Sequence, residues 1–141
     1  MTAAVSRSLS ATATECRVVR NILTFPADML VTKIKTTPLS IPFKETYYYS
    51  QGAARGANSI LIEVGTDAGI TGIGEACADR SATAVLGVVE AAARILEGTN
   101  PFDIERFIYR FYREAKWDDM RRFANQALAG VEMALWDIVG K

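Results

Sequence analysis

The sequence predicts an α+β fold: a three-stranded antiparallel meander followed by a bundle of about three helices. Two observations carry this. Strand-type alternation is confined to residues 30–75, and helical spacing of apolar residues is confined to residues 81–141. Strands first and helices after is the order of an antiparallel sheet with helices packed on one side. The chain of 141 residues, 50% apolar and 23% charged, is the size of one ordinary domain and can build a core.

Residues 1–28 stand apart. They are rich in Ser, Thr and Ala, carry Arg7, Arg17 and Arg20, and hold only Glu15 and Asp28 as acids. They read as a transit-like leader or as a dispensable extension with Met29 as the natural start, the second being preferred. On either reading the folded domain is residues 29–141.

Residues 30–37 alternate, with Val31, Lys33 and Lys35 against Leu30, Thr32 and Ile34, as a half-buried strand does. Pro38 is expected to end its ladder. Residues 59–66 place Ile60, Ile62 and Val64 on one face and Glu63 on the other. Asp67, Ala68 and Gly69 supply a hairpin connection, Gly69 being free to take a left-handed conformation, and residues 70–75 return. Residues 38–58 read as a long, irregular, aromatic-rich loop.

Ser81 is placed to cap a helix whose stripe is Val85, Val88, Val89, Ala92, Ile95 and Leu96, with Gly98 at its C-terminal end. Asn100 and Pro101 then restart a helix. Its stripe is Ile104, Phe107, Ile108, Phe111 and Tyr112, with Arg106, Arg110 and Arg113 outside. A third helix runs from Met120 on Ala124, Ala127, Leu128, Val131, Leu135 and Ile138, and Ala129 and Gly130 are small enough to admit a neighbouring backbone.

Composition excludes several chemistries. The histidine count is 0, so Ser-His-Asp triads, Cys-His pairs and His-ligated zinc are absent. Cys16 and Cys77 are far apart and read as two thiols in a reducing compartment, the cytoplasm. Sixteen basic and sixteen acidic residues give no electrostatic reason to expect nucleic acid or an anionic membrane as partner. No apolar run is long enough to cross a bilayer.

Gly69, Gly72 and Gly74 do not have phosphate-loop spacing and read as relief of crowding in a twisted strand. Asp118, Asp119, Glu132 and Asp137 lack the spacing of metal ligands. No catalytic and no metal-binding residue is therefore assigned. The 38–58 segment is different: Lys44, Glu45, Tyr47, Tyr48, Tyr49, Gln51 and Arg55 combine charge with phenol and aromatic surface, and Gly52, Gly56, Ala53, Ala54 and Ala57 read as pliable. Such a loop can close over a small anionic ligand, or pack its tyrosines on its own domain. Both readings stay open.

Three stretches carry a resemblance over residues 29–141. Residues 31–42 (Val-Thr-Lys-Ile-Lys-Thr-Thr-Pro-Leu-Ser-Ile-Pro), 62–75 (Ile-Glu-Val-Gly-Thr-Asp-Ala-Gly-Ile-Thr-Gly-Ile-Gly-Glu) and 127–141 (Ala-Leu-Ala-Gly-Val-Glu-Met-Ala-Leu-Trp-Asp-Ile-Val-Gly-Lys) resemble the N-terminal capping domain of the enolase superfamily, mandelate racemase/muconate lactonizing enzyme type. The intervening Gly-Thr-Asn-Pro-Phe-Asp-Ile-Glu fits as well. The resemblance implies a domain lying over the mouth of a (β/α)₈ barrel, whose first long loop shapes the pocket of a small carboxylate substrate. In that family the barrel holds Mg²⁺ and the base that removes a proton next to the carboxylate, as in racemases, cycloisomerases and acid-sugar dehydratases.

Here the chain stops at Lys141, where the barrel would begin, so no base and no metal ligand carries over. What carries over is the place of the loop, and with it Lys44, Glu45, Tyr47, Tyr48, Tyr49 and Arg55 as substrate-binding candidates. The expectation is a capping, specificity-determining domain that is inactive alone and holds no cofactor itself. The alternative is a stand-alone binding module derived from such a cap, with self-association left open.

Overall fold

The computed structural model describes residues 29–78, 81–114 and 121–141. The elements are β1 (Val31–Tyr49), β2 (Gly52–Thr66), β3 (Thr71–Cys77), α1 (Ala82–Leu96), α2 (Ile104–Glu114) and α3 (Arg121–Gly140). The sheet is antiparallel in the order β1-β2-β3, with the helices on one face, so the predicted meander and helices are what the chain forms. Expectations for residues 1–28, Cys16, Asp118, Asp119 and Met120 fall outside the described residues.

Alternation sets the core. Ile60, Ile62 and Val64 of β2 point to the helices and are fully buried, while Glu63 turns to the other face and pairs with Lys35 across the strands. Val85, Val88, Val89, Ala92 and Leu96 of α1 and Ile104, Phe107 and Phe111 of α2 are buried with them. The whole predicted stripe of α3, from Ala124 to Ile138, is buried too. Gly69, at φ +78°, closes the β2–β3 turn as its sequence suggested. Ser81 caps α1, its Oγ accepting from the Ala84 N–H at 3.2 Å.

The 38–58 segment is not an irregular loop. β1 continues through Pro38 and Pro42, which pair with Ile60 and Gly56, and the chain turns at Ser50 and Gln51 into a returning β2. β1 is an edge strand, and there a missing proline N–H need not interrupt a ladder. Register breaks between Pro42 and Tyr47, where a bulge absorbs the irregular residues. β3 ends opposite Ser59, so residues 40–58 form a two-stranded ribbon. Gly56 is set by contact rather than pliability, since a Cβ there would lie 2.7 Å from the Ile41 carbonyl oxygen.

The glycines of β3 also have a firmer role than relief of twist. A Cβ on Gly72 would strike the Ala134 carbonyl and lie 2.7 Å from Ile138 Cγ1. A Cβ on Gly74 would strike the Gly130 carbonyl, and one on Gly130 would lie 2.8 Å from the Ala76 nitrogen. α3 therefore rests with its backbone against β3. Of the two small residues expected to permit this, only Gly130 does so; Ala129, about 100° round the helix, is exposed.

Asn100 and Pro101 form a turn rather than the first turn of α2. Asn100 Oδ1 accepts from the Phe102 N–H at 2.9 Å, and helical bonding begins with the Phe107 N–H donating to the Asp103 carbonyl. Arg106 and Arg113 are exposed as expected, but Arg110 is half-buried, donating to Glu114 and to the Ile95 carbonyl.

Candidate functional site

The ribbon sorts the six sequence candidates by strand alternation. Tyr47 pairs with Ala54 and Tyr49 with Gly52, on the face turned towards α3. Their rings stack, with centroids 6.3 Å apart and planes 18° apart. Tyr48, between them, projects from the opposite face and is 77% exposed. Lys44 and Glu45 lie in the bulge and Arg55 lies on β2, all three exposed.

Between this ribbon and the first turns of α3 lies an open hollow of about 620 Å³. Phe43, Tyr47 and Tyr49 wall it on one side and Arg122 and Gln126 on the other. The β2 side contributes mostly Ala and Gly, so little from the described residues fills the space. The structure thus brings Tyr47 and Tyr49 to a common cavity and leaves Lys44, Glu45, Tyr48 and Arg55 off its lining.

Phe43, Arg122 and Gln126 were not singled out in the sequence. For Gln126 there was one signal: a polar residue flanked closely by the buried Ala124, Ala127 and Leu128. Its Oε1 is buried and has no hydrogen-bond partner among the described residues. Arg122 is exposed and makes no ion pair among them.

The acids that could suggest a metal have structural work instead. Asp137 Oδ2 accepts from the Ile73 N–H at 2.8 Å and from Lys141 Nζ at 2.7 Å. The bond to Lys141, then the bond to Ile73, holds its carboxyl below the ordinary carboxylate range. Glu132 accepts from Trp136 Nε1. Among the described residues, no three His, Cys, Asp or Glu side chains converge. Asp137 and Glu132 therefore do not offer the converging oxygen set that Mg²⁺ takes.

Comparison with known proteins decides the family. Residues 17–141 match the mandelate racemase / muconate lactonizing enzyme, N-terminal domain. The chain belongs to this family. A hydrophobic dipeptide epimerase of Enterococcus faecalis is 25% identical over 118 residues, covering 80% of this chain and 32% of that protein. A D-mannonate dehydratase of Novosphingobium aromaticivorans is 38% identical over 89 residues, covering 61% and 21%.

The solved dipeptide epimerase from Enterococcus faecalis V583, complexed with Mg and the dipeptide L-Leu-L-Tyr, superposes with a TM-score of 0.68 at 25% identity. The match covers 79% of this chain and 31% of that one. A mandelate racemase/muconate lactonizing enzyme structure gives 0.71 at 28% identity, covering 79% and 31%. The chain spans about a third or less of the length of these relatives. No described helix is long and apolar enough to cross a membrane.

Proposed function

We propose that this chain is the capping, substrate-selecting domain of a Mg²⁺-dependent enzyme that removes a proton next to a carboxylate. The reaction class is that of a racemase or epimerase, a cycloisomerase or an acid-sugar dehydratase. The observation that carries this is the ribbon: aromatic side chains exposed on a two-stranded extension beside a hollow, in a chain of the N-terminal domain family. Metal and base belong to a barrel, and residues 1–141 alone do not turn over substrate. Tyr47 and Tyr49 line the ligand side, while Lys44, Glu45, Tyr48 and Arg55 lie where a covering barrel or the outer rim of its pocket meets the ribbon. The compartment is the cytoplasm.

The test is a chimera with residues 29–141 placed before the barrel of a relative stripped of its own N-terminal domain. The cap reading predicts that the chimera exchanges the proton next to a carboxylate faster than the bare barrel does. It also predicts that Tyr47→Ala or Tyr49→Ala changes KM. A chimera no better than the bare barrel contradicts it.

A second reading, a stand-alone interaction module, is favoured by the exposure of Leu39, Ile41, Phe43 and Tyr47 to Tyr49 on this one ribbon. It predicts self-association or partner capture through the ribbon, which sedimentation of the wild type against Ile41→Ser/Phe43→Ser measures.

A further inference from the structure

We propose that the groove between the start of α2 and the last turns of α3 is the docking site of this chain's own residues 17–28, with Ile22, Leu23 and Phe25 seated on Trp136. The segment is then part of the domain rather than a dispensable extension. The groove is a second surface, and the proposal does not rest on the cap reading of the ribbon. α3 runs from one to the other: Arg122 lines the hollow and Val139 the groove, about 25 Å apart along the helix axis.

Four observations converge. The groove, of about 440 Å³, takes its apolar lining from Phe102, Ile104, Trp136 and Val139. Among the described residues Trp136 is left 54% exposed and Met133, one turn before it, 46%, an apolar patch whose cover lowers the free energy. Second, the family match begins at residue 17 while β1 begins at Val31, so residues 17–28 lie within the matched domain. Third, the described chain starts beside the groove. Met29 is buried, and the Val31 N–H donates to the carbonyl of Thr99, three residues before Phe102. Phe25 and Ile22 precede Met29 by four and seven residues, so extended chain reaches roughly 14 and 25 Å, more than the step from Thr99 to Phe102 can span. Fourth, the charges are complementary. Asp103, Glu105 and Arg106 leave the groove one net negative charge, and Arg17, Arg20 and Asp28 leave the segment one net positive charge beside Val18, Val19, Ile22, Leu23 and Phe25.

The experiment is limited trypsin digestion of the full 141-residue chain, each cut being followed by mass spectrometry. Arg7 lies outside the docking segment and Arg17 and Arg20 within it. Cutting after Arg20 is expected to be about tenfold or more slower than cutting after Arg7, because cleavage tracks the undocked population. The ratio does not change with chain concentration, as a segment docked on its own chain requires.

Trp136→Ser speeds cutting after Arg20 about tenfold and leaves cutting after Arg7 unchanged. Phe25→Ser, which keeps every described side chain, does the same, and the double variant adds nothing further. Opening of the whole fold by Trp136→Ser shows as new cuts after Arg94 and Arg110, and Phe25→Ser then decides. The proposal is overturned if Arg20 is cut as fast as Arg7 in the wild type, or if Phe25→Ser leaves the Arg20 rate unchanged. It is overturned too if Trp136→Ser, with the fold intact, leaves that rate unchanged, or if protection grows with concentration, which assigns the groove to a second copy.

Discussion

Gly74 of β3 faces Gly130 of α3 so closely that a Cβ on Gly74 would run into the Gly130 carbonyl. Neither partner is a side chain that can swing away, so the contact fixes how near helix and strand approach. Gly74→Ala is expected to destabilise by about 1–3 kcal/mol or more through overpacking. Gly130→Ala does the same although alanine is the better helix former by about 1 kcal/mol. Urea midpoints of the two variants check this.

Gly87 provides the opposite case. It sits within α1, is exposed, and a Cβ there meets nothing within 4 Å. Gly87→Ala is expected to stabilise by about 0.5–1 kcal/mol, through propensity and a less flexible unfolded chain. Thermal unfolding of this variant beside Gly74→Ala separates glycines needed for approach from a glycine that is not.

Asp137 gives the fold a pH dependence whose sign follows from its partners. Lys141 and the Ile73 N–H lower its folded carboxyl value, so the unfolded chain takes up the proton first as pH falls. The stabilisation is complete above the unfolded value, about pH 4, and fades as pH drops through the lower folded value. Urea midpoints of wild type and Asp137→Asn should differ at pH 6 and converge in strong acid.

The ribbon beyond Ser59 lacks a third strand, and a two-stranded pair is marginal in water. Amides of residues 40–58 should exchange faster than those of Ile60, Ile62 and Val64 by native-state hydrogen exchange. Tyr48→Ser, at a 77% exposed position, should leave global stability within about 0.5 kcal/mol.

What was legible in the sequence follows burial. α1, α3 and the core half of β2 announce themselves because each buries one face, which forces a period on Val85 to Leu96, Ala124 to Ile138 and Ile60 to Val64. The ribbon was illegible because neither of its faces is well covered, so nothing enforces alternation, and Pro38 and Pro42 argue against a strand until β1 is known to be an edge. The start of α2 slipped because Asn100 and Pro101 suit both a helix start and the turn they form. Tyr47 and Tyr49 were visible as a cluster. Their partners Arg122 and Gln126 come from a helix remote in sequence, and only folding sets them opposite.

On the function proposed above, this chain selects and covers while a barrel supplies metal and base. The most direct measurement is deuterium uptake next to the carboxylate when the purified chain is incubated with Mg²⁺ in D₂O and a panel of dipeptides and sugar acids. No incorporation above the protein-free control is expected. Incorporation that depends on the chain and on Mg²⁺ would place a base and a metal site within these 141 residues and contradict it.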